Sequence, residues 1–196
     1  MAFSYDVTDV GVIRAPRETV WRAFMTEFAG AKQWWLPFWE ADPIGEIPAG
    51  QIGNRFRATV HPPAWWRQLL FTPRFTVLVT DIQELEHIHV EFPEGNFRGT
   101  GTFEFTSIDD NETRVSFRWN VSTFGFRPAF TALFVDIGAI HSLVVEGGYR
   151  GLNQWLAAQP SEHHPLVPQP HFSPAADPVA NPVPDPNSSQ PSKQRA

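Results

Sequence analysis

From Arg127 to Ala158 the chain carries its longest helical period, and that stretch limits the folds open to everything before it. Phe130, Phe134, Ile137, His141, Val144, Gly148, Leu152 and Trp155 fall at steps of three or four and form one apolar stripe. The preceding segments alternate with a period of two, as strands do. Strands joined by short turns pair antiparallel, and a sheet with one apolar face needs a cover. A helix over 127–158 is the only element long enough to supply it. The expected architecture is α+β: a curved antiparallel sheet of about seven strands, closed over an internal pocket by a long C-terminal helix.

The order of the other elements fits this plan. Residues 3–14 read as a first strand, with Val10 and Val12 on one face and Tyr5, Val7 and Ile13 on the other. Apolar groups on both faces predict a bulge or a change of burial within it. Pro16 suits the first turn of a helix whose stripe is Val20, Trp21, Phe24 and Phe28, and Gly30 stops it. A second short helical turn, followed by a strand, is expected over 31–39. Alternation then marks strands near 53–61, 75–85, 87–92, 97–108 and 113–124. Asp109-Asp110-Asn111 turns the last pair into a hairpin. From Gln159 onward ten of 38 residues are Pro. So polar and Pro-rich a segment cannot bury enough area to offset its ordering entropy. The domain is therefore expected to end at 158, with 159–196 a disordered tail. Its Pro spacing suits polyproline II, which makes an interaction module a third functional class to weigh.

Composition excludes several functions. A net charge of −6 argues against nucleic acid and anionic membranes as partners. The absence of Cys removes disulfides, thiolate metal sites and Cys nucleophiles. No leader-like segment and no run of 18 apolar residues is present, so a cytoplasmic protein without stable membrane insertion is expected. No phosphate-cradling loop, dinucleotide fingerprint or Ser-His-Asp order occurs, and no cofactor is predicted.

The candidate residues concentrate around the proposed pocket. His141 lies among apolar neighbours on the long helix, either as a pocket acid/base or as a core histidine, with no second catalytic partner evident. Ligand contacts are assigned to Trp34, Trp35, Trp39, Trp66, Phe103, Phe117, Trp119, Phe134, Ile137, His141, Val144 and Gly148. The helix glycines 138, 147, 148 and 151, with Gly99 and Gly101 on a strand, imply close packing or space for a ligand. Asp9 and Glu104 are possible pocket carboxylates. Arg57, Arg98 and Arg118 point outward if the alternation holds. His87 and His89 are spaced for a shared metal, but the sequence offers no third ligand. Neither that pair nor His163-His164 in the tail is read as a metal site.

Two motifs add a resemblance. Ala15-Pro16-Arg17-Glu18-Thr19-Val20-Trp21 is similar to the A-P-x-x-x-V-W opening of the START/Bet v 1-like superfamily. His141-Ser142-Leu143-Val144-Val145-Glu146-Gly147-Gly148-Tyr149-Arg150-Gly151-Leu152 resembles the H-x-x-V-M-x-x-G-x-x-G-L ending of bacterial members, with Val145 in place of Met. The resemblance spans roughly residues 3–158. It implies a helix-grip fold around an apolar cavity and a hydrophobic ligand such as a lipid, sterol or polyketide. A minority of members are cyclases or dehydratases, and no universal catalytic residue transfers. The expected function is binding of a hydrophobic small molecule. The rival is a cyclase or dehydratase using His141.

Overall fold

The computed structural model describes residues 2–61 and 72–159. Trp65, Trp66 and the tail from Pro160 onward lie outside them, so the ligand-binding role of Trp66 and the disorder expected of the tail find no test here. The elements are β1 (Ser4–Ile13), α1 (Arg17–Phe28), β2 (Trp39–Ile44), β3 (Arg55–Val60), β4 (Arg74–Gln83), β5 (His87–Gly95), β6 (Phe97–Ser107), β7 (Thr113–Thr123), α2 (Phe126–Thr131) and α3 (Ile137–Ala158). The strands form one antiparallel sheet in the order β1-β7-β6-β5-β4-β3-β2. This is the expected α+β helix-grip architecture. Among the described residues, no helix is long and apolar enough to cross a membrane.

Alternation builds the inner face. On β6 Phe103 and Phe105 are buried between exposed Glu104 and Thr106, and on β7 Val115, Phe117, Trp119 and Val121 do the same. Their register places Phe103 on Phe117, the two rings stacked 3.9 Å apart. Across this face lies α1, whose stripe is buried as predicted. Phe24 at its centre is fully buried and meets the rings of Phe28, Trp34, Trp35, Phe103 and Phe105. Burial of one such side chain contributes about 1.5–3 kcal/mol. Gly30, at φ +91°, turns the chain out of α1. Arg57 and Arg98 are exposed, and Arg118 reaches Asp6 on the outer face through two hydrogen bonds of 2.9 and 2.7 Å.

The structure corrects two local expectations and bears on two others. The predicted 127–158 helix is two helices. Asp136 stops the run by capping α3, its carboxylate accepting from the Ala139 N–H at 3.1 Å. Phe130 and Phe134 keep the helical period but belong to the exposed segment before that cap. The helical turn expected over 31–39 is present, with the Phe38 N–H donating to the Trp35 carbonyl at 3.0 Å, and β2 follows it from Trp39. β1 carries no bulge. Its pairing with β7 runs unbroken from Ser4 to Ile13, so Tyr5, Val7, Asp9, Gly11 and Ile13 face inward while Val10 and Val12 stand exposed. Finally, Gly99 stands in register with buried Phe92 and Val121, where a Cβ would meet the backbone of Asn120 and Val121, and at Gly101 the side chains of Phe117, Val90 and Phe92 take the room a Cβ would need.

α3 is fastened to the edge strand β1 at both ends. Gly138 sits against Val7 and Tyr5, and Gly11 against the ring of Tyr149. Near the C-terminus Asn153 donates to the Val12 carbonyl at 3.0 Å and accepts from the Arg14 N–H at 2.8 Å. That side-chain amide pairs backbone groups at the sheet edge that would otherwise lack a partner.

Candidate functional site

Between α3 and the inner face lies a cavity of about 100 Å³. Among the described residues its wall is apolar apart from His141. β4, β5 and β6 contribute Phe75, Val77, Val90, Phe92, Phe97 and Phe103; β7 contributes Phe117 and Trp119; α3 contributes Ile137, Ile140, His141, Val144 and Val145. Trp35, Trp39, Phe28 and Phe56 close one end. Val60, Pro73 and Ile140 are its half-buried members.

The structure gathers eight predicted ligand residues on this wall: Trp35, Trp39, Phe103, Phe117, Trp119, Ile137, His141 and Val144. Three others do not line it. Trp34 is buried beneath α1, its indole N–H donating to the Ala23 carbonyl at 3.2 Å. Phe134 is 74% exposed, on the solvent side of the break before α3. Gly148 faces the cavity's neighbour rather than the cavity. The indole of Trp35 lies directly on its Cα, and the Trp35 N–H donates to the Val144 carbonyl at 3.2 Å. The glycines of α3 therefore admit protein, not ligand: Trp35 fills the space at Gly148, Phe38 that at Gly147, and the Trp34 carbonyl that at Gly151.

His141 has the partner that the sequence left unassigned. Its Nδ1 lies 3.0 Å from Oδ2 of Asp9, an inward residue of β1, and both side chains are about nine-tenths buried. The approach is off-line, and neither atom has another protein partner in full hydrogen-bond geometry. The imidazole is stacked on Trp119 at 4.2 Å and 9°, and tilted against Phe117 at 5.3 Å. Burial pushes its pKa below the ordinary imidazole range, outweighing the pull of Asp9 upward. Burial acts to raise Asp9, but contacts from His141 and Ser142, with the attraction of the imidazole, hold its carboxyl below the usual range. The direction of both shifts is that of a neutral imidazole beside an ionised carboxylate. The Tyr149 hydroxyl, one further buried group without a partner, is driven upward by burial and by Asp9, and stays protonated.

Glu104 is exposed on the outer face and has no part in the cavity. On that same face the structure supplies what the His87–His89 spacing lacked. Asp81 of β4 stands with them, the donor atoms of all three within 4.8 Å of one another. Asp9 was legible as a pocket carboxylate, being in frame with Tyr5, Val7 and Ile13. Tyr149 was missed, although it lies two turns beyond His141.

No protein-family model matches the chain, and no curated protein matches it. Solved structures do. A START superfamily protein from Mycobacterium smegmatis is similar at TM-score 0.58 and 14% identity, covering 79% of this chain and 99% of its own. The Zhui aromatase/cyclase from Streptomyces sp. R1128 is similar at 0.60 and 13%, covering 78% and 93%. The major latex-like protein 151 of Panax ginseng is similar at 0.54 and 9%, covering 77% and 96%. At such identities the likeness is one of fold: the chain has the helix-grip fold that these three structures share.

Proposed function

We propose that the chain binds a hydrophobic small molecule in the cavity beneath α3, with the Asp9–His141 pair as its polar anchor. The observation that carries this reading is an aromatic and aliphatic wall that, among the described residues, one titratable side chain interrupts, itself backed by a carboxylate. The neutral Nε2 of His141 accepts from a phenol or alcohol hydroxyl, while the stacked rings around it favour a planar body. Volume narrows the class. An apolar cavity of about 150 Å³ holds benzene, and this one is smaller. As it stands it holds no more than a single small ring or a short branched chain. A lipid or polyketide-sized ligand enters only when lining side chains swing aside.

Native mass spectrometry of the protein purified from its own host tests the reading, followed by titration of Trp fluorescence with single-ring phenols and with long-chain lipids. A retained ligand or saturable quenching supports it, and replacing His141 by Gln should weaken phenols more than hydrocarbons of the same size. A bare mass together with no saturable response to either class would overturn it.

The Asp9–His141 geometry favours a second reading, a cyclase or dehydratase acting on a polyketide-like substrate. A carboxylate that orients a neutral imidazole, with the second nitrogen free, is the arrangement of a general base. The Zhui aromatase/cyclase shares the fold, and that likeness supports the reaction class without assigning it here. Under this reading His141→Gln abolishes turnover while ligand binding stays nearly intact. Unchanged turnover would remove it.

A further inference from the structure

We infer that Asp81, His87 and His89 form a binding site for a late first-row divalent cation, with zinc the first to test, on the face of the sheet opposite the cavity. Two imidazoles and one carboxylate are a donor set suited to such ions, and three protein ligands leave a position for water. His87 Nε2 lies 2.8 Å from Asp81 Oδ2, and the two imidazole rings are 4.7 Å apart at 57°. Tetrahedral coordination needs donors roughly 3.3 Å apart. The present spacing, within 4.8 Å, closes to that by side-chain rotation alone, since Asp81 is exposed and both histidines are half-buried.

Two independent features indicate that the cluster is built. The first is backbone. Val79 pairs with Val90, but Asp81, not Thr80, pairs with His89, so β4 spends one extra residue there. In unbroken register Asp81 would stand opposite Ile88 and face the core. The irregularity at Thr80 is what brings its carboxylate to the outer face beside His89. The second is an orienting contact. His89 Nδ1 lies 2.7 Å from Thr102 Oγ1 on β6, which fixes the ring and leaves Nε2 for an ion. The neighbouring charges suit a cation. Glu104 stands opposite His87, and Arg118, opposite Thr102, is already held by Asp6.

The test uses the full chain, because His163, His164 and His171 offer a rival site. Zn²⁺ affinity is measured by competition with a chromophoric chelator, and Co²⁺ loading by its visible absorption. One ion per chain is expected, with affinity lowered at least tenfold by Asp81→Asn, His87→Ala or His89→Ala. The variant carrying Ala at 163, 164 and 171 should bind as the parent does. Zinc should raise the melting temperature of the parent and leave that of His89→Ala unmoved. Binding that follows the tail histidines, binding indifferent to the three sheet substitutions, or no stoichiometric binding would each overturn the inference. Melting of the metal-free variants separates a lost site from a lost fold.

Discussion

Gly148→Ala asks whether the helix glycines exist to admit Trp35. In an isolated helix the change is favourable by ~1 kcal/mol, since Ala outranks Gly in helix propensity. Here the new methyl would lie 2.7 Å from Cδ1 and Cε2 of Trp35, and closer still to Nε1. The ring cannot retreat. It is held by the bond from Nε1 to the Val144 carbonyl and lies between Trp34 at 4.9 Å and Trp39 at 4.7 Å. Overpacking of a closed core costs about 1–3 kcal/mol. Displacing the indole orphans a buried N–H at about 1–3 kcal/mol more. Set against the propensity gain, the net expectation is a loss of roughly 3 kcal/mol, read as a shift in the urea midpoint at unchanged slope. In a Trp35→Leu background the same substitution should cost far less, because the clashing ring is gone, and the coupling should exceed about 1 kcal/mol. Gly148→Ala matching or exceeding the parent in stability would refute the account of these glycines.

Acid should weaken the fold in two stages. The depressed pKa of His141 means that the unfolded chain binds the extra proton first, so stability falls as pH drops below the ordinary imidazole value of 6.5. Asp9 is depressed too, so its contribution persists above 3.8 and is lost as pH falls through its lower folded value. Urea midpoints between pH 8 and 5 should show the first stage, and His141→Gln should flatten it. Asp136→Ala removes the cap of α3 and should cost about 1 kcal/mol, with faster amide exchange at Ala139. His141→Leu alone strands a buried carboxylate and should destabilise by about 3 kcal/mol, whereas Asp9→Leu with His141→Leu should be neutral to about 1–4 kcal/mol more stable. A double variant weaker than either single one would mean that the pair is there for the fold, not for a ligand.

Most of the fold was legible because burial and period agree along β6, β7 and α1. Every second residue of the hairpin, and every third or fourth of α1, meets the core. The readings failed where apolar residues keep a period without being buried. Phe130 and Phe134 continue the stripe of α3 backward, and only the side chain of Asp136, bonding locally to Ala139, ends the helix. Val10 and Val12 suggested a two-faced strand, yet they are merely apolar groups at a solvated edge, which is common on protein surfaces.

The site was less legible because its polar partners come from distant segments, and no period reports that. Asp9 and His141 meet only because β1 pairs with β7 in unbroken register and α3 crosses that edge. Asp81 joins His87 and His89 only because β4 departs from regular pairing at Thr80. Alternation alone sends Asp81 inward and leaves the histidines as an unpartnered pair. The glycines misled for a related reason. A missing side chain signals that something comes close, and it does not say whether that is ligand or protein. Here it is Trp35 and Phe38, and of these Trp35 also lines the cavity. A core packed this tightly has no structural need for an imidazole in its cavity wall with a carboxylate behind it, and apolar residues there would be easier to bury. Their presence beside an otherwise apolar cavity is the physical argument for a ligand with a polar group to meet them.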